Sequence, residues 1–328
     1  MLCSFCEKFQ LATSPLCFFK KVNYLPSLFF FSIIIFMHTF QLKIIEFVQQ
    51  IRNPILDEFF KFLNLFDTPI FYLILFPLLW IGYSYRFGAK IFFILMVSSI
   101  VNNLLKDIFM QPRPYILDPS VGIIHVLSNY GLPSGAAQTA VILPLLLIEH
   151  FKKKKWPIIV GINYFFWISL SRLYLGVHFL TDIIAGWFIG FGLFLVYLYV
   201  FPLIEKVIKK YKPINVFWIA LLCLFVLSFI PKLDVHFFGF LAVFIGIFLS
   251  NKYNMFLKDS KKTKEFFKRA IFAIIGVLVI TLIVSLILKS WPVFIENTSY
   301  FFMGLWISFF CSYLYKRFFK KYKKQQKK

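Results

Sequence analysis

Three short stretches carry the residue types that could do chemistry. The first is Lys106-DIFMQP-Arg113-Pro114, the second Pro133-Ser134-Gly135, the third Ser171-Arg172-x5-His178-x3-Asp182. Lys106, Arg113 and Arg172 are three cations, enough to hold an anion with two or more negative charges, and an arginine can fork two phosphate oxygens at once. Pro-Ser-Gly ahead of a helix offers backbone N–H groups at a positive dipole end, a cradle for phosphate. His178 and Asp182 stand four apart, so on a helix they share a face. A carboxylate on one ring nitrogen fixes the tautomer and leaves the other nitrogen free to attack. Together these residues describe a phosphoryl-transfer site with a histidine nucleophile, where catalysis comes from positioning and charge stabilisation.

The elements that must position them are apolar. Of 328 residues, 60% are hydrophobic and 47 are Phe, more than a soluble domain could hide from water. Runs of spanning character occur at 69–85, 91–110, 136–150, 156–173, 180–203, 215–231, 234–250, 270–289 and 297–315, the third of them short for a span. The fold class predicted is all-α: a polytopic transmembrane helical bundle. A further run at 24–40 follows Lys20 and Lys21; it reads as a signal-anchor span, or as an upstream extension if translation starts at Met37. Residues 41–68 alternate charged and apolar positions at helical spacing (Ile44, Ile45, Phe47, Val48, Ile51), as in helices that lie at a membrane surface.

The net charge is +22, and its distribution argues for topology. Arg86 and Lys90, Lys152 to Lys155, the lysines from Lys206 to Lys212, the basic residues from Lys252 to Arg269, and eight basic residues from Lys316 to Lys328 fall in every second loop and in the tail. That pattern assigns them to the cytoplasmic side, where they meet anionic lipid headgroups, and sets aside nucleic acid as a partner. The three polar stretches all fall on the opposite, non-cytoplasmic side, at one membrane depth, which a bacterial cytoplasmic membrane would provide. Cys3-x-x-Cys6 has no second ligand pair, so no metal site is expected, and no cofactor is needed. His38, His150 and His236 show no partners by spacing. Gly186, Gly190 and Gly192 are expected to let helices approach closely.

The three stretches resemble the signature of the type 2 phosphatidic acid phosphatase superfamily: K-x6-RP, then PSGH, then SR-x5-H-x3-D. The match covers about residues 41–205, including "NNLLKDIFMQPRPY" and "SRLYLGVHFLTDIIAGW". The resemblance implies a core of about six helices and a metal-independent mechanism through phosphohistidine. By that resemblance His178 is the nucleophile and Asp182 orients it, while Lys106, Arg113, Ser134, Gly135 and Arg172 bind the phosphate. The expected organisation is then a segment 1–40, a phosphatase-like core at 41–205, additional C-terminal membrane helices at 206–316 and a basic tail at 317–328.

One position departs from the pattern. The sequence reads "LPSGAAQTA", with Ala136 where the family has the histidine that protonates the leaving oxygen. Losing a positioned acid costs about 10²–10⁴ in rate. An alcohol leaves poorly as an alkoxide, whereas a pyrophosphate cleaved at its terminal phosphorus expels a phosphate monoester that is stable as an anion. The substrate expected is therefore a lipid pyrophosphate, such as a polyisoprenyl pyrophosphate, in preference to a lipid monophosphate. His125, in the same outer loop, is the candidate substitute acid. Two alternatives share these residues: a phosphotransferase that hands the phosphoryl group to another acceptor, and a non-catalytic protein that binds or moves phospholipid.

Overall fold

The computed structural model describes residues 25–124, 130–210, 213–227, 234–260, 262–287 and 292–325. All regular structure among them is helical. In chain order the helices are α1 (Leu25–Gln49), α2 (Pro54–Asn64), α3 (Pro69–Phe76), α4 (Tyr85–Phe109), the one-turn α5 (Pro114–Leu117), α6 (Gly135–His150), α7 (Trp156–Tyr174), α8 (Leu180–Lys210), α9 (Pro213–Leu227), α10 (Asp234–Lys252), α11 (Thr263–Ile287), α12 (Pro292–Leu305) and α13 (Cys311–Gln325). They form two compact units. One gathers the described residues up to Thr68 with Val97–Leu195; the other gathers Pro69–Met96 with the described residues from Val196 onward.

Among the described residues, three stretches are long and apolar enough to cross a membrane: Tyr85–Leu117, Leu180–Leu203 and Thr263–Ile287. The segments Pro54–Asp67 and Pro69–Tyr83, bent by 60°, add a fourth if they form one broken span. The described residues of the nine apolar runs are almost all helical, but several helices are short. α6 has 16 residues, a rise of about 24 Å against a hydrocarbon core of about 30 Å.

One expectation needs correction. Residues 41–49 do not start a separate surface helix; they continue α1, which runs unbroken from Leu25. Lys43 and Glu46 lie exposed on its outer face, so the alternation of charged and apolar positions follows one continuous helix. α2 fits the surface-helix pattern. Asn53 caps it by accepting the Leu56 N–H at 3.0 Å, with Pro54 at its first position. Phe60 and Leu63 are buried while Ile55, Phe59 and Phe62 are exposed, leaving an apolar outer face for lipid.

In the first unit, α8 lies close against α6. A Cβ at Gly186 would come within 2.6 Å of the Ser134 carbonyl, and one at Gly190 within 2.6 Å of the Gln138 carbonyl. Both glycines allow backbones to approach, as expected; Gly192 has nothing within 4 Å and serves no such purpose. α7 approaches α6 where Gly161 faces Pro144. In the second unit, Trp306–Phe310 forms a π-helical turn. The Ser308 carbonyl in that turn accepts from the Tyr85 hydroxyl at 2.9 Å and from Ser250 Oγ at 2.6 Å. These bonds satisfy a backbone group that the regular helical ladder leaves free.

Candidate active site

Each polar stretch lies at a helix terminus. α4 ends at Phe109, and Met110 takes the left-handed conformation (φ 48°), turning the chain towards Arg113. α6 starts at Gly135 with Ser134 as its cap, Oγ accepting the Ala137 N–H at 3.4 Å. α7 ends at Tyr174, Gly176 turns the chain at φ +68°, and α8 begins at Leu180. A side chain at Gly176 would collide with the Val121 carbonyl, so only glycine fits that turn.

These three corners converge in the first unit. His178 Nδ1 faces Asp182 Oδ2 at 3.3 Å, and His178 Nε2 faces Arg113 Nη1 at 3.3 Å. Arg113 Nη1 also donates to the Val177 carbonyl at 2.9 Å. Asp182 Oδ2 accepts the Phe179 N–H at 3.0 Å, fixing the carboxylate within its own turn. Lys106, Arg113, Arg172, His178 and Asp182 are all buried. With the carboxylate on Nδ1, that nitrogen carries the proton and Nε2 presents its lone pair to the cations. Burial, and then the nearby charges of Arg113, Lys106 and Arg172, hold the His178 imidazole well below its usual titration range. The ring therefore stays neutral, as a nitrogen nucleophile requires.

The Pro-Ser-Gly corner differs in one detail from the expected cradle. The Ser134 N–H is not open to an anion, because it donates to the Asp182 carbonyl at 2.9 Å. That bond ties the start of α6 to the start of α8, and the first-turn amides of Gly135 and Ala136 remain as the donors. Asn102 holds the same corner from α4, donating to the Pro133 carbonyl at 3.2 Å and to Gln138 Oε1 at 2.9 Å. Ala136 itself is buried, in an apolar cluster with Phe60, Leu63, Tyr174 and Val177, against which Phe66 and Tyr164 pack. His125 lies outside the described residues.

Several residues at the site gave no sign in the sequence. Asp67, in the 3₁₀ turn after α2, pairs with Arg172 at 3.1 Å. Gly131 lies so close that a Cβ would sit 2.7 Å from Asp182 Oδ2. One face of α1 clamps the turn that carries His178. Gln41 Oε1 accepts both the N–H and the hydroxyl of Thr181 at 2.9 Å, and Gln49 Nε2 donates to the carbonyls of Val121 at 2.8 Å and Tyr174 at 2.7 Å. His38, given no partner by spacing, stacks on Phe179 at 4.9 Å, and its Nε2 lies 3.2 Å from Gln111 Nε2. Positions 38, 41, 45 and 49 recur at helical spacing, a signal visible only once the turn they face is known.

The fold and this site define a helical membrane protein with three buried cations around a histidine that faces a carboxylate. Residues 87–206 match the family model described as "PAP2 superfamily". The chain is similar to lipid phosphate phosphatase delta of Arabidopsis thaliana, 27% identical over 61% of this chain and 53% of the relative. It is similar to sphingosine-1-phosphate phosphatase 1 of Rattus norvegicus, 28% identical over 50% of this chain and 39% of that one. It is also similar to undecaprenyl-diphosphatase of Sulfolobus acidocaldarius, 29% identical over 32% of this chain and 50% of the relative. The chain thus spans about half or less of the length of these relatives.

Proposed function

We propose that this protein is an integral membrane lipid phosphatase whose His178 Nε2 attacks the phosphorus of a lipid phosphate. The observation that carries the reading is the placement of that nitrogen: its ring partner Nδ1 is held by Asp182, and Nε2 points at Arg113 beside the other two cations. A phosphoryl group seated on Lys106, Arg113 and Arg172 would present its phosphorus to Nε2. The cations and the first-turn amides of α6 would stabilise the charge of the transition state. Attack breaks the bond to the leaving oxygen and leaves phospho-His178. Water then takes the phosphoryl group and frees the imidazole.

The leaving group favoured is a phosphate monoester, which makes the substrate a (poly)isoprenyl pyrophosphate. Ala136 supports this, because the place of an acid is taken by a methyl group packed among apolar side chains. The relatives' names include both monophosphate and diphosphate substrates, so the choice rests on the leaving-group argument. The basic loops support a reaction at the non-cytoplasmic face of the membrane, a bacterial cytoplasmic membrane in this reading.

The test is a panel of lipid monophosphates and pyrophosphates presented to purified protein in detergent, with His178→Ala as the blank. Phosphate release that vanishes in the blank and is fastest on pyrophosphates is expected. Equal or faster cleavage of phosphatidic acid would refute the substrate preference. Dephosphorylated lipid formed in excess of free phosphate would point to transfer to another acceptor.

A further inference from the structure

Arg172 is held on two sides and unpartnered on a third. Its Nε donates to Ser171 Oγ at 3.1 Å, and that hydroxyl in turn donates to the Ile168 carbonyl at 2.6 Å. Its Nη1 pairs with Asp67 Oδ2 at 3.1 Å. Its Nη2 is buried and has no hydrogen-bond partner. The side chain is 1% exposed, so this arginine cannot leave its donors to bulk water. A buried guanidinium nitrogen without an acceptor is costly unless something fills the place it faces.

Asp67 comes from outside all three motif stretches. It lies at the end of the 3₁₀ turn Leu65–Asp67, whose neighbour Phe66 packs on the cluster that contains Ala136. Its side chain is 33% exposed, and Leu65 beside it is an exposed apolar residue. It also lies within electrostatic reach of Lys106 and Arg113.

We propose that Asp67 is a positioning residue for phosphate recognition: it pins one arm of the Arg172 fork so that Nη2 stays aimed at the phosphoryl group. This inference rests on the phosphatase reading and adds a specificity element to the same site. A guanidinium is planar, so fixing Nε and Nη1 fixes the direction of Nη2. Ser171 alone leaves the plane free to tilt; the second contact, from a carboxylate, removes that freedom with a charge-assisted bond. The anion meets an aimed donor and spends little on ordering it.

The test uses the full chain in detergent, with inhibition by orthovanadate, which adopts the five-coordinate geometry of phosphoryl transfer, as the main readout. Asp67→Asn is nearly isosteric and should weaken orthovanadate inhibition by about tenfold and lower kcat more than it raises KM. Asp67→Glu, which keeps the carboxylate, should recover most of the loss. In an Arg172→Lys background, Asp67→Asn should cost less than about twofold, because a residue that acts through Arg172 has nothing left to aim. Unchanged or tighter orthovanadate inhibition in Asp67→Asn overturns the proposal, as does an equal cost in both backgrounds.

A thermal-unfolding arm separates this from failure of the phosphatase reading. If wild type releases phosphate from no lipid, protection by orthovanadate still decides. Protection that weakens in Asp67→Asn supports the clamp; protection that is equal in both proteins, or absent from wild type, overturns it.

Discussion

Gly131→Ala is the most pointed perturbation of the histidine's support. The new Cβ would sit 2.7 Å from Asp182 Oδ2, where ordinary contact begins near 3.4 Å, so the carboxylate must retreat by about 0.7 Å or Gly131 must move. Neither is easy. Oδ2 is held by the Phe179 N–H at 3.0 Å, and the Gly131 N–H is held by the Gln111 carbonyl at 2.7 Å. Retreat directly away from the ring would stretch the 3.3 Å contact with Nδ1 to about 4 Å, past hydrogen-bonding range. The imidazole then loses what fixes its tautomer and aim, and misplacement on this scale costs about 10²-fold in rate. The added methyl should also destabilise the fold by about 1–3 kcal/mol, as overpacking does. The assay is phosphate release by purified protein on the best lipid of the panel, with thermal unfolding followed in parallel. Gly192→Ala, where the Cβ meets nothing within 4 Å, is the control and should match wild type. A Gly131→Ala enzyme with kcat/KM within twofold of wild type would refute the reasoning that Asp182 must stay where it is.

Other outcomes follow from the same geometry. His178 is held neutral by burial and by the three cations, so kcat/KM should fall on the acid side only as pH passes well below 6.5, the ordinary histidine value; a limb centred at or above that value in a pH–rate profile would contradict it. Gln41→Leu removes the acceptor for both Thr181 groups at the start of α8. It should cost about 1 kcal/mol of stability and lower kcat, read by thermal unfolding and turnover. Ala136→His should raise the rate on monophosphates more than on pyrophosphates, and an equal change on both would count against the leaving-group argument. That imidazole enters a packed apolar site, so a lower melting temperature should accompany it.

The sequence made the motif residues legible because each lies at a fixed offset on a helix end or in one turn. His178 and Asp182 are four apart, which helical spacing gathers into a pair, while Lys106 and Arg113 are paired by the motif resemblance. What it could not show are groups that reach the site through tertiary packing. Asp67 meets Arg172 across 105 residues, Gln41 meets Thr181 across 140, and Gln49 meets Tyr174 across 125. Each of these looks like an ordinary polar residue on an amphipathic segment until the turn it faces is placed. The continuity of α1 was hidden for a related reason. Lys43 and Glu46 break the apolar run without breaking the helix, because they lie on its outer face while Gln41, Ile45 and Gln49 face inward. The Ser134 amide was misjudged because its acceptor, the Asp182 carbonyl, belongs to another helix.

The central claim is that His178 Nε2 bonds to phosphorus. Rapid acid-free quenching of the enzyme with a radiolabelled lipid pyrophosphate, followed by peptide mapping, tests it directly. Label should appear on the peptide that carries His178 within the first turnover, stable to base and lost in acid, and be absent from His178→Ala. Full turnover with no phosphorylated His178 peptide at any quench time, or label on another residue, would contradict the account.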